Sequence, residues 1–122
     1  MPVAFVLDEH LRGGLWQAIQ SHNAKGVLLI DAVRVGDLPD LPLGSQDPDI
    51  LLWAEANGRI LVSRDEHTMK SYLADHLKAG GHSPGVFLIR RSSKVADVTF
   101  FLAAATHASE PADWQDHVSY IP

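Results

Sequence analysis

Short apolar runs alternate with amphipathic stretches along the whole chain. Val3–Leu7 is apolar and stops at Asp8-Glu9, as a short strand would. Leu11 to His22 reads as a helix, with Leu11, Leu15, Ala18 and Ile19 on one face. Gly13 and Gly14 weaken its first turn by roughly 1 kcal/mol each relative to Ala. Val27–Val33 is the next strand expected, and the Gly-, Pro- and Asp-rich residues 34–46 follow as a loop. Asp47-Pro48 has the form of a helix start, an N-cap acceptor ahead of a proline. That helix runs to about Asn57, where Gly58 ends it. Ile60–Ser63 is a strand stopping at Arg64-Asp65-Glu66, and a helix follows from about Thr68 to Ala79. Gly85–Ile89 is a strand ending in Arg90-Arg91, Val95–His107 a helix, and Val118–Ile121 a fifth strand. Strands that are apolar throughout, alternating with helices, define an α/β fold with a parallel sheet covered on both faces.

The 122 residues suit one domain, with no repeat, linker or low-complexity segment. Fully apolar runs are short, as in Val27–Ile30, so no membrane span is expected. Met1–Leu7 has no basic residue ahead of its apolar stretch, which argues against a secretory signal. The absence of cysteine excludes disulfides and Cys-based zinc sites and suits a cytoplasmic location. The formal charge of −5 argues against a protein that coats DNA by charge alone. All ten Lys and Arg lie before residue 95, so the body is near neutral. The tail carries Asp97, Glu110, Asp113 and Asp116. That tail, with Trp114, Tyr120 and Ile121, suggests association with a second copy or with a basic protein partner.

Ligands of open parallel sheets collect at the carboxyl ends of the strands. There the pattern puts Asp8-Glu9 and Asp65-Glu66, with Asp47 and Asp49 at the helix start between them. Clustered carboxylates repel one another unless a cation or protons neutralise them. Oxygen donors without cysteine suit Mg²⁺ or Mn²⁺, which activate water and stabilise charge on a phosphoryl group. Capping accounts for Asp47 and leaves Asp49 as the better ligand of that helix. His10 and His67 directly follow the two acidic strand ends. Arg90, Arg91 and Lys94 are placed for phosphate contact. Gly81-His82-Ser83-Pro84-Gly85 has the spacing of a nucleophile elbow but the reverse element order. No dinucleotide fingerprint or phosphate-binding loop motif is present.

These segments, in this order, resemble the small PIN-like proteins of the DUF5615 type, related to the Mut7-C group. Phe5-Val6-Leu7-Asp8-Glu9-His10-Leu11 is similar to their opening "LLDENL", and Asp47-Pro48-Asp49-Ile50-Leu51-Leu52-Trp53-Ala54 to their "DEEILELA" helix. Gly58-Arg59-Ile60-Leu61-Val62-Ser63-Arg64-Asp65 resembles "GRILVTRD", and Gly85–Arg90 their fourth strand with its terminal Arg. The resemblance implies a PIN-like three-layer α/β/α sandwich with a mostly parallel central sheet. It implies a metal-dependent ribonuclease, often the toxin of a toxin–antitoxin pair, with RNA as substrate and an antitoxin as partner. Carried over residue by residue, Asp8, Asp49 and Asp65 are the catalytic acids and metal ligands, joined by Glu9 and Asp47. Arg90 or Lys94 would hold a phosphate. Two positions depart from the pattern: His67 replaces the second acid of "TRDxDF", and Asp49 stands where Glu is usual. The alternative is a PIN-like binding module with weak or lost catalysis that acts through a protein partner. A generic receiver-like α/β domain ranks behind both.

Overall fold

A computed structural model describes residues 2–11 and 13–122. Strand β1 (Phe5–Leu7) leads through a 3-10 turn at Glu9–Leu11 into helix α1 (Gly14–Ala24) and strand β2 (Ala32–Arg34). Helix α2 (Asp47–Asn57), β3 (Ile60–Ser63), α3 (Glu66–Lys78), β4 (Val86–Ile89) and α4 (Val95–Ala108) follow. A second 3-10 turn at Pro111–Asp113 then precedes β5 (Val118–Ile121). The five strands form one parallel sheet in the order β2-β1-β3-β4-β5. The fold is thus an α/β/α sandwich.

Side-chain alternation builds its two cores. Phe5, Leu7, Ile60, Val62, Phe87 and Ile89 face the layer of α1 and α4. Val6, Leu61, Val86 and Leu88 face the layer of α2 and α3. Strands buried on both sides have no polar face, which is why they read as continuous apolar runs. Phe87 centres the first core, its ring 5.8 Å from Phe5, 5.7 Å from Phe101 and 4.9 Å from Trp114. Trp114 and Ile121 therefore pack on the domain itself. Gly85 permits this close approach: with φ at +127°, a Cβ there would lie 2.7 Å from the Trp114 carbonyl oxygen.

Three local expectations are corrected. Val27, Leu28 and Leu29 are exposed and lie outside β2. The Asn23 side chain accepts from Ile30 N (2.8 Å) and donates to Ile30 O (2.9 Å), so an amide side chain takes the place of a strand neighbour. The expected cap Asp47 is already helical. Gln46 is the extended N-cap residue, its carbonyl accepting from Ile50 N at 3.0 Å. The third helix starts two residues earlier than its pattern suggests, because Asp65 caps it. Gly58 ends α2 in the left-handed conformation, φ +66°, as expected.

Candidate functional site

Strand order reverses between β1 and β3, and the register there is Leu7 beside Val62. The next residues, Asp8 just past the end of β1 and Ser63 at the last position of β3, stand side by side at the carboxyl edge, where parallel sheets open a crevice. Asp8 is only 7% exposed. The Ser63 hydroxyl donates to Asp8 Oδ2 (3.1 Å) and accepts from the Asp65 amide (3.1 Å), coupling the two strand ends. No buried side-chain polar atom among the described residues lacks a partner. The second Asp8 oxygen, which has no hydrogen-bond partner among the described residues, is thus not sealed from solvent. Asp65 accepts from the Thr68 amide and hydroxyl, which fixes its carboxylate at the α3 N-terminus. Glu9 Oε1 accepts from Gly44 N at 3.2 Å and ties the 42–46 loop to the rim.

The result is a cavity of about 260 Å³ lined by Asp8, Glu9, His10, Asp47, Asp65, Tyr72 and residues 44–46. Burial raises the Asp47 carboxyl above its ordinary range, and the charges of Asp8 and Asp65 push it the same way against an opposing pull from His10. Asp65 is held low, first by the Thr68 hydroxyl and then by the Thr68 and His67 amides, against the effect of burial. No Lys or Arg among the described residues pairs with these three carboxylates. Among the described residues, the three acids therefore share one field that no Lys or Arg pairs with and only His10 opposes.

Asp8, Glu9, His10, Asp47 and Asp65 line one cavity, whereas Asp49 does not. Asp49 is exposed, since two helical residues turn a side chain by about 200° away from Asp47. His67 is exposed and outside the lining. Lys94 is the exposed N-cap residue of α4, also away from the cavity wall. Arg90 lies over the Tyr120 ring, its Cζ 5.5 Å from the centroid, and Lys70 Nζ approaches the same ring to 4.5 Å. Ser63, Lys70, Tyr72 and Tyr120 escape a reading of the sequence. A signal existed for Tyr72: seven residues after Asp65, it falls on the same face of α3.

Among the described residues, no three His, Asp or Glu side chains already stand as a metal cage. The donor chemistry nevertheless fits a hard divalent cation: the three coupled groups are all oxygen donors, and their mutual repulsion is what a cation would relieve. They are the residues that would hold Mg²⁺ or Mn²⁺.

The amino edge of the sheet carries a second acidic cluster of another kind. Glu55 Oε1 accepts from His82 N (2.9 Å) and His76 Nε2 (2.7 Å). Asp116 accepts from Ser83 N (2.7 Å) and meets His82 Nδ1 (3.1 Å). Both carboxyls are held below their ordinary range, Glu55 chiefly by the His82 amide and Asp116 chiefly by the Ser83 amide. Comparison with known proteins finds no matching family model, no matching curated protein and no matching solved structure. Among the described residues, no helix is long and apolar enough to cross a membrane.

Proposed function

We propose that the chain is a metal-dependent endoribonuclease that cleaves RNA phosphodiesters at the Asp8, Asp47 and Asp65 pocket, and that it is the toxin of a toxin–antitoxin pair. The observation that carries the catalytic reading is electrostatic. Burial and the two neighbouring carboxylates raise the Asp47 carboxyl, at a switch-point crevice where no Lys or Arg among the described residues pairs with any of the three. The resemblance of the strand-end segments to PIN-like proteins supports the same reading and alone supplies the toxin role.

Asp8, Asp47 and Asp65 would hold Mg²⁺ or Mn²⁺, which when bound would supply a more acidic water and stabilise charge on the phosphate oxygens. Ser63 orients Asp8, and Thr68 orients Asp65. Glu9 holds the 42–46 loop against the rim, and Tyr72 walls the pocket from α3. Lys70 and Arg90, gathered on Tyr120, attract the phosphodiester backbone toward the acidic pocket. Asp49 is left outside the ligand set in this reading.

The test is cleavage of a mixed single-stranded RNA by the purified protein with Mn²⁺, with Mg²⁺ and with a chelator. The expected outcome is cleavage with either metal, none with chelator, and a rise in melting temperature on adding Mn²⁺ that Asp8→Asn removes. Metal-dependent stabilisation without cleavage of any RNA would favour the binding module. Cleavage unaffected by Asp8→Asn would rule out the site.

A further inference from the structure

The carboxyl edge of the sheet carries a second, smaller cavity on the side opposite the acidic pocket. Along β3, Leu61 faces the α2 and α3 layer and Val62 the α1 and α4 layer. The same alternation sends Ser63 to the first side, where it meets Asp8, and Arg64 to the second. There Arg64 lines a cavity of about 130 Å³ with Gly13, Gly14, Leu15 and Val95. His10 lines both this cavity and the acidic pocket, so the two adjoin. Arg64 and Asp65 are consecutive in the chain, their Cα atoms about 3.8 Å apart. They thus serve different cavities on the two sides of one edge.

Two residues of this cavity have no evident structural use. Arg34 and Arg59 pair with Asp37 and Asp31, and Arg90 lies on the Tyr120 ring. Arg64 is exposed and has no hydrogen-bond, ion-pair or ring partner for its side chain among the described residues. Gly14 opens α1, where a glycine weakens the first turn relative to alanine. Its backbone is not left-handed, and among the described residues a Cβ there would meet only Val95 Cγ2, at an ordinary 3.7 Å. Neither packing nor conformation calls for glycine at this position. A cavity floor on which a ligand can approach the backbone does.

We propose that this cavity is a phosphate subsite, in which the Arg64 guanidinium holds the phosphodiester next to the one that is cleaved. The inference rests on the nuclease reading of the acidic pocket and deepens it. The substrate is then an RNA strand that lays two successive phosphates across the edge of the sheet. Chemistry selects the ligand. A planar guanidinium donates paired N–H bonds that match two phosphate oxygens. The cavity is well below the roughly 300–1,000 Å³ of sites that enclose a whole small molecule, so it suits a tetrahedral oxyanion and excludes a base. Asp8, Asp47 and Asp65 by themselves repel a polyanion. A fixed positive charge one residue from Asp65, on the far side of the edge, anchors the strand from outside that cluster.

Cleavage of an RNA at one mapped linkage tests this, with the linkage on either side replaced in turn by a neutral methylphosphonate. In the wild-type protein, neutralising one of the two flanking linkages should lower kcat/KM about tenfold through KM, with kcat little changed, as when ground-state binding is lost. Arg64→Gln should lose the same factor on the unmodified RNA and nothing further from the neutral linkage, because both changes remove one contact. An Arg64→Gln protein as active as wild type, or as sensitive to the neutral linkage, overturns the proposal. Inorganic phosphate titrated in the presence of a chelator, followed by NMR at the Gly13 and Gly14 amides, reads the subsite without any cleavage. A saturable shift that Arg64→Gln abolishes is expected, and no shift overturns the subsite whether or not RNA is cut. A wild-type protein that shows the shift but cleaves no RNA would defeat the nuclease reading and leave the phosphate site standing.

Discussion

The two edges of the sheet each gather acidic side chains, and they treat them oppositely. At the amino edge, Glu55 and Asp116 each accept a backbone amide and a histidine, and both carboxyls are held low. There the charge is consumed in joining α2, α3 and the segment before β5. At the carboxyl edge, Asp8 and Asp65 are oriented by hydroxyls, while Asp47 is raised by burial and by both neighbours. Orientation without neutralisation leaves a field available to a ligand. An acidic cluster in itself marks no site; what marks one is negative charge that the protein positions and leaves uncompensated.

The largest test of that contrast exchanges one amide for one carboxylate at each edge. Asp65→Asn should keep the cap on α3, because Asn caps as well as Asp, and should cut RNA cleavage by at least about a hundredfold. Asp116→Asn should leave cleavage per folded molecule unchanged and lower the melting temperature. Equal loss of cleavage from both would erase the distinction between the edges.

Ser63→Ala comes next. It frees Asp8 from its hydroxyl donor and removes the acceptor of the Asp65 amide. Cleavage should fall by about 10- to 100-fold, as when a supporting bond to a metal ligand is removed. Steady-state rates with titrated Mn²⁺ would show whether the loss is in metal affinity.

At the amino edge, a Cβ on Gly81 would stand 2.6 Å from His76 Nε2. Gly81→Ala should push the ring off Glu55 and the His82 carbonyl and destabilise the fold by roughly 1–3 kcal/mol, the range for overpacking. Urea denaturation measures it, and activity per folded molecule should not change.

The smallest effect is also the most specific to the comparison. Asp47 is raised above its ordinary 3.8, so its ionised form opposes folding at neutral pH. That opposition fades as pH falls through the raised folded value toward 3.8. Glu55 and Asp116 have the reverse sign: lowered below 4.5 and 3.8, they stabilise the fold above those values and cease to do so as pH falls through their folded values. Asp47→Asn should stabilise the protein at pH 7 by no more than about 0.5 kcal/mol, because solvent screens a half-exposed group. The gain should vanish by pH 3, which melts across the pH series would reveal. A destabilising Asp47→Asn would mean that the carboxylate is balanced already.

Much of the architecture is legible in the chain, because strands buried on both faces must be apolar throughout and helices between them must be amphipathic. Asp8 and Asp65 at strand ends follow from that pattern and from the parallel topology. The second helix shows where such reading fails. Asp-Pro looks like a cap, yet Asp47 is already helical and its carboxylate lines the cavity, while Asp65, marked as a ligand, is the residue that caps. Which face a first-turn residue turns to the site depends on one residue of helix phase, and local preference does not set phase that finely. The apolar run Val27–Ile30 fails for a related reason. Apolarity invites burial, but of this run only Ile30 is buried; the Asn23 side chain bonds both its backbone groups outside any strand, and a contact between residues seven apart is invisible to periodicity.

The order of apolar and amphipathic segments, the parallel α/β class and two of the three coupled acids belong to the sequence alone, since each follows from a local repeat and one topological rule. The reversal of strand order between β1 and β3, the Asp65–Ser63–Asp8 hydrogen-bond chain, the entry of Asp47 in place of Asp49, and the separation of a satisfied acidic edge from an unsatisfied one belong to the tertiary structure. Each depends on which distant segments become neighbours. A carboxylate's hydrogen bonds and its field are set by those neighbours, and the pattern around it in the chain does not contain them.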